Sequence, residues 1–497
     1  MTTAMFKTGM NRALLNRDFF QTILDRAYGP NAAQPTSWVE QDLDSSASIL
    51  SSISSAGADD DDDDLDREGS LTSKERTSSD KTEEACPMND MTGHFLYKIE
   101  YNAIHSSSAS SHPSVYHPSN TTYPESISIS ATSRLDSHPS AEGQLWMVIK
   151  SKPIDTALIE LTNIMAQLQG GEIADQYDQV KDLTGFRNSH IREIELAELA
   201  WQVGGPMARI STKVYNVLRN DTQQLYALCL EYLDPAMGNV THMNSTEHAL
   251  TTWSPDDIHL ALRDMASFHA QFLGQEDKLL KMSFLENPTR PMTKVLRPAY
   301  EAMVKTNRKN DPELFSESLT RSMLDYLAHS DEYWAVLENS PRTLIHGDFN
   351  TRNICLRMDQ STGAQTLCVY DWELACCHVP QRDVVEFLSF VLPSGSTEWS
   401  HYIEYHRLAL KQSFESMQSL VEPSSRKIKI PSPREYMEVA KIALMEFASL
   451  RVAMYGISNS FKQVEWLPRI LSSVEEQVKR MGPLRPSRDR VHFESKL

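Results

Sequence analysis

Residues 343–373 read TLIHGDFNTRNICLRMDQSTGAQTLCVYDWE, and the alternation of apolar runs with polar punctuation in this stretch decides the fold. Thr343-Leu344-Ile345 and Leu367-Cys368-Val369-Tyr370 are short apolar runs that predict buried strands. Each delivers a carboxylate where it ends, Asp348 in the first case and Asp371 in the second. Asn353-Ile354-Cys355-Leu356 predicts a further strand, and Asp359-Gln360-Ser361-Thr362-Gly363 turns the chain back. Such a hairpin brings Asp348, Asn353 and Asp371 to one edge of a small sheet. Two carboxylates and an amide are oxygen donors suited to Mg²⁺ carrying a nucleotide phosphate. One carboxylate can also accept the proton of an attacking hydroxyl.

His346-Gly347-Asp348, then Asn353, then Asp371-Trp372-Glu373 after an apolar strand resembles the catalytic core of the aminoglycoside phosphotransferase and choline kinase-like family. H-G-D alone is a weak signal, whereas the ordered set with strands in these places is specific. The resemblance implies an α+β, two-lobed protein-kinase-like fold. It has a small antiparallel-sheet N-lobe, a larger, mostly helical C-lobe, and disordered insertions in the N-lobe. It divides the chain into a tail over 1–13, an N-lobe over 14–230, a C-lobe over 231–484 and a tail over 485–497.

Composition limits the alternatives. At 497 residues, two or three average domains or one two-lobed kinase with insertions would fit. A net charge of −19 argues against a nucleic-acid partner. Cys86, Cys229, Cys355, Cys368, Cys376 and Cys377 show no paired C-x-x-C spacing and read as reduced thiols of an intracellular, cytoplasmic protein. No apolar run approaches the ~20 residues of a membrane span. The first 17 residues hold Lys7, Arg12 and Arg17 and no acid, a composition shared with mitochondrial presequences. An ordinary N-terminal helix is the preferred reading, because Leu14, Leu15, Phe19, Ile23 and Leu24 fall at helical spacing until Gly29-Pro30.

Two low-complexity stretches interrupt the N-terminal half. Residues 45–84 are Ser-rich and include Asp59 to Asp64, a charge run that cannot bury a core. Residues 106–142 are rich in Ser, His and Pro. The irregular spacing of His105, His112, His117 and His138 favours an unstructured insertion over a metal site. Strands are expected at Trp38 to Leu43, Phe95 to Tyr101 and Leu145 to Lys150, and a helix at His190 to Trp201.

The resemblance assigns roles along this frame. A loop ending at Gly93, the only glycine in Asn89 to His94, would cover nucleotide phosphates. Lys150 would grip the α- and β-phosphates, with Lys152 on the same strand face as the alternative. Glu193, with Glu195 as rival, would hold that lysine. Tyr226 to Leu230 leads to a hinge in which the Glu231 carbonyl and the Leu233 N–H would hold adenine. Ser254-Pro255-Asp256-Asp257 starts a helix running to Gly274, on which His269 reads as a packed residue. Asn353 and Asp371 would hold Mg²⁺, and Asp348 would take the acceptor's proton. Arg352 would either reach the γ-phosphate or close a salt bridge within its loop. Asp383 would hydrogen-bond the catalytic loop from below. Further helices are expected around 312–337, 401–417, 433–455 and 468–481.

The function so implied is ATP-dependent transfer of a γ-phosphoryl group to a small-molecule hydroxyl, with ATP and Mg²⁺ as cofactors. A catalytically idle, kinase-like binding protein and a protein kinase are the alternatives. The missing arginine of H-R-D, and D-W-E where D-F-G would stand, weigh against the protein kinase.

Overall fold

The computed structural model describes residues 14–30, 32–41, 93–103, 142–359, 362–418, 428–482 and 484. The first predicted insertion, the second up to residue 141, and residues 89–92 before Gly93 lie outside them, while Glu142 already belongs to a strand.

Five antiparallel strands form the N-lobe sheet: β1 (Ala33–Gln41), β2 (Gly93–Ala103), β3 (Glu142–Ser151), β4 (Val214–Asn220) and β5 (Leu225–Glu231), in the order β1-β2-β3-β5-β4. Alternate residues of β2 and β3, among them Tyr97, Ile99, Leu145, Met147 and Ile149, bury one sheet face under Phe19, Phe20, Ile23 and Leu24 of helix α1 (Arg17–Tyr28). Strand β1 starts earlier than expected. Pro35 lies at a register shift against β2, so an edge strand accommodates it and the strand begins at Ala33.

The sequence reading missed β4 and two helices that follow β3, α2 (Asp155–Gln169) and α3 (Gly171–Val180). The predicted glutamate-bearing helix is α4 (Ser189–Val203). Beyond the hinge the chain is mostly helical. A capping box between Ser254 and Asp257, with Pro255 in the first turn, starts α5 (Pro255–Phe272). The remaining long helices are α6 (Arg290–Asn310), α7 (Glu317–Ala328), α8 (Ser330–Glu338), α9 (Gln381–Val391), α10 (Trp399–Gln418), α11 (Pro433–Glu446), α12 (Ala453–Asn459) and α13 (Leu467–Met481). Between α11 and α12 the expected continuous helix is interrupted by a π-helical turn, Phe447–Val452.

Short strands lie around residues 343–373: β6 (Val240–Thr241), β7 (Thr343–Ile345), β8 (Ile354–Met358), β9 (Gln365–Val369) and β10 (Cys376–His378). The β8–β9 hairpin forms as expected, with β6 on its outer side. One expectation is corrected. Strand β7 does not join that sheet but pairs with β10, so Asp348 enters from a separate two-stranded ribbon. Among the described residues no helix is long and apolar enough to cross a membrane.

Candidate active site

The loop after β7 is built on Gly347. Its φ is +79°, and a Cβ there would stand 2.3 Å from the Leu374 carbonyl oxygen, so only glycine fits. Beneath it lies Asp383, in the first turn of α9. Its Oδ2 accepts the His346 N–H at 2.8 Å and its Oδ1 the Gly347 N–H at 3.0 Å. Burial opposes its charge, but the hydrogen bond from His269, 3.2 Å away, and the backbone donors hold its carboxyl below the usual range. His269 is fully buried and continues to His406 at 3.2 Å, which reaches the Tyr436 hydroxyl at 2.8 Å. His346 braces the same loop through Nε2, 3.0 Å from the Tyr370 carbonyl oxygen.

Asp348 is surrounded by polar partners. Oδ2 accepts from Asn353 Nδ2 at 2.7 Å, and Oδ1 from Asn350 Nδ2 at 3.1 Å and the Tyr455 hydroxyl at 3.2 Å. Burial alone would raise this carboxyl's pKa; Arg352 and Arg451 outweigh it and hold the group far below the usual range. Arg451 stands in the π-helical turn and donates to the Gly347 carbonyl at 3.2 Å. Arg352 is committed to its surroundings. Its Nε donates to Asn350 Oδ1 at 3.1 Å and its Nη2 to the Tyr455 hydroxyl at 2.9 Å, and its plane lies 5.3 Å and 5.0 Å from the rings of Tyr455 and Trp466. Its Nη2 also lies 3.7 Å from Asp348 Oδ1. Asn350, Arg451, Tyr455 and Trp466 belong to no short motif, and sequence reasoning missed them.

Asp371 ends the hairpin with φ +66°, a left-handed conformation uncommon outside glycine. The Tyr370 N–H donates to the Asn353 carbonyl at 3.0 Å, which sets Asp371 beside Asn353. Lys150 Nζ is 2.6 Å from Asp371 Oδ1 and 2.8 Å from Glu193 Oε2. Lys152 Nζ is 2.8 Å from the same Glu193 oxygen and 2.8 Å from Glu373 Oε2. Burial works against the charge of Asp371, but Lys150 and Lys152 lower its pKa from 3.8 to about 2. The same two ammonium groups keep buried Glu193 below the carboxylate range, while burial beside Asp371 pushes Glu373 up. Glu195, the rival of Glu193, instead contacts Arg219 away from this cluster. Trp372 is buried against His346 and Phe268.

At the hinge, Glu231 ends β5 with its side chain held by the Lys213 N–H at 2.7 Å and by Arg357. Leu233 is buried with Val240, Cys355 and Cys368. Gly93 opens β2 and pairs with Ser151, next to the His94–Lys150 pair.

A sheet lobe whose buried lysine is paired to a helical glutamate, set over a helical lobe presenting H-G-D, N and D, defines a kinase-like protein. More particularly, residues 248–419, which span the H-G-D loop and α10, match the model of the ecdysteroid kinase-like family. No curated protein matches the chain in sequence. Solved structures similar to it include Plasmodium vivax ethanolamine kinase, at 15% identity and TM-score 0.33, covering 57% of this chain and 72% of that one. Choline kinase LicA from Streptococcus pneumoniae is 12% identical, TM-score 0.32, covering 66% and 86%. Aminoglycoside phosphotransferase APH(3'')-Id from Streptomyces rimosus is 11% identical, TM-score 0.30, covering 53% and 83%.

Proposed function

We propose that the protein is a small-molecule kinase that moves the γ-phosphoryl group of ATP to an alcohol. The observation that carries this reading is the placement of Asp348, hydrogen-bonded to Asn353, beside an Asp371 that is ion-paired to the Lys150–Glu193 couple.

The donor set fits a divalent ion. Asn353 spends its Nδ2 on the Asp348 carboxylate and carbonyl, at 2.7 Å and 2.9 Å, which turns its Oδ1 away from Asp348. Asp371 is ionised at neutral pH. Among the described residues no group of three or more His, Cys, Asp or Glu could hold a metal. One carboxylate and one amide oxygen suit Mg²⁺, which keeps waters and phosphate oxygens as its remaining ligands. Asn353 and Asp371 would hold Mg²⁺, and the ion would supply positive charge to screen what develops on the phosphates during transfer.

The chain's own groups supply the rest. Lys150 binds the α- and β-phosphates and Glu193 orients it. Backbone groups of Glu231 and Leu233 border the adenine, and the start of β2 at Gly93 covers the phosphates. Asp348 orients the acceptor hydroxyl. A carboxylate whose pKa is depressed by Arg352 and Arg451 is a weak base, so it accepts the proton late, as a loose transition state requires. Arg352 keeps Asp348 in place. We put the boundary between the lobes at residues 230 and 231.

The alternative of a protein kinase finds no support after Asp371. A short turn at Trp372–Leu374 leads directly into β10, which is paired with β7, and then into α9. That leaves no activation segment to receive a polypeptide. The test is Mg·ATP binding by thermal shift, with Mg·GTP beside it, followed by an alcohol screen scored by ADP release. A folded wild-type chain that no nucleotide stabilises would end the kinase reading.

A further inference from the structure

Lys152 is used in no step above, yet it is the more deeply buried of the two lysines, its side chain 5% exposed against 11% for Lys150. Lys150 is the penultimate residue of β3 and Lys152 follows its last, Ser151, and the two side chains reach the same side, where both meet Glu193. Both ammonium groups meet a single oxygen, Glu193 Oε2, at 2.8 Å. Beyond that shared atom their partners differ. Lys150 goes on to Asp371, whose side chain is 34% exposed, and Lys152 to Glu373, whose side chain is 15% exposed.

The Glu373 end is anchored twice. Its carbonyl accepts Arg192 Nη1 at 2.7 Å. Arg192 lies one residue before Glu193 on α4, is 1% exposed, and also donates to the carbonyls of Phe284 and Gly185 at 3.2 Å each. Lys152, Glu193 and Glu373 are therefore fixed to both lobes, whereas the Lys150–Asp371 contact faces the open side.

We propose that Lys152 is a positioning residue, a standing counter-ion for Glu193 and Glu373 that lets Lys150 release Asp371 and turn to an incoming nucleotide's phosphates. The proposal rests on the kinase reading above. Its physical reason is the cost of an unpaired buried carboxylate. With one lysine, Glu193 and Glu373 together would draw Lys150 inward and compete with the phosphates for it. With two, Glu193 keeps a cation whichever way Lys150 points.

The test measures Mg·ATP dissociation constants by titration calorimetry on the full chain, with Mg·GTP alongside and the Tm of every variant. Lys152→Met is expected to weaken binding about tenfold, the share of one charge-assisted hydrogen bond. Lys152→Met combined with Glu373→Gln removes the stranded carboxylate and is expected to recover most of that loss. Lys152→Arg, which keeps the charge, should bind within about threefold of wild type. A Lys152→Met chain that melts earlier but binds as wild type makes Lys152 structural only and overturns the proposal. Weak binding that Glu373→Gln fails to recover overturns it as well. If Lys152→Met does not fold, the double variant and Lys152→Arg decide, and tenfold weaker binding in either refutes the proposal. Wild-type binding that is lost in Lys150→Met but untouched in Lys152→Met sinks this proposal alone. A wild-type chain that binds neither nucleotide removes the kinase reading and this proposal with it.

Discussion

Asp371 and Asp348 flank the same asparagine but are held by different kinds of partner. Asp371 is gripped by ammonium groups, Lys150 at 2.6 Å with Lys152 one atom further along the cluster. Asp348 is gripped by two amides and a phenol, with its nearest guanidinium, Arg352, at 3.7 Å. Ion pairs of the first kind tolerate redistribution, because a charge set down on one carboxylate can be taken up by a phosphate. Directed hydrogen bonds of the second kind fix an angle as well as a distance. The Asp371 side is therefore suited to receive a ligand, and the Asp348 side to hold a group still while chemistry occurs.

The largest effect that would break this contrast is on turnover. Asp348→Ala should keep its Mg·nucleotide affinity within about twofold and lose transfer by about a thousandfold, within the range removed with a general base. Single-turnover ADP release beside a calorimetric Kd measures both. Equal loss of affinity and rate would mean that the two sides act as one. Next in size is the support under the Asp348 loop. Asp383→Ala strips the His346 and Gly347 N–H groups of their acceptor and leaves His269 facing a void. Breaking a buried polar network of this kind costs about 3–5 kcal/mol. Urea unfolding should report it, and a loss below about 1 kcal/mol would show that the loop does not depend on Asp383.

The Asp371 side can be sharpened by pH. Its carboxyl is lowered from 3.8 in the unfolded chain to about 2 in the folded one. The folded state therefore binds this proton less readily, and the stability it contributes is present above 3.8 and lost as pH falls through about 2. Asp371→Asn should flatten that part of the acid limb of a denaturation profile, and an unchanged limb would show that Lys150 does not hold Asp371 ionised. The effect is smaller than the first two, since the side chain is 34% exposed and solvent screens the pair.

What could be read in the sequence follows the same division. Asp348, Asn353 and Asp371 stood out because short apolar runs end at them in the order the resemblance requires, and Asp383 was named only from its distance in the resembled family. The helix carrying Glu193 was legible from its periodicity, but the choice between Glu193 and Glu195 rested on the resemblance, and the contact of Glu195 with Arg219 could not be read from the spacing. The partners of Asp348 from the last third of the chain were not legible. Arg451 reaches Gly347 only because a π-helical turn interrupts a helix that periodicity reads as continuous. Trp466 and Tyr455 read as ordinary apolar positions until Arg352 is seen lying against both rings. Strand β1 begins before the expected Trp38 because an edge strand takes up Pro35 with a register shift. The lysine cluster was half legible. An alternating strand puts Lys150 and Lys152 on one face, but nothing in the spacing says that they share one carboxylate oxygen.

The smallest predicted effect isolates what direction contributes apart from charge. Tyr455→Phe removes one hydroxyl that donates to Asp348 Oδ1 at 3.2 Å and accepts from Arg352 at 2.9 Å. The ring survives, so its packing on Trp466 and under Arg352 is kept. What is lost is one hydrogen bond on the carboxylate, about 1 kcal/mol, or about a fivefold fall in the rate of transfer. Nucleotide affinity should stay at the wild-type value, because no nucleotide-side group touches Tyr455 among the contacts described. Freed from the hydroxyl, Arg352 can close its 3.7 Å gap to Asp348 and convert a directed hydrogen-bond set into an ion pair. If Tyr455→Phe transfers as fast as wild type, an ion pair serves Asp348 as well as an oriented one, and the distinction between the two sides of the site loses its physical basis.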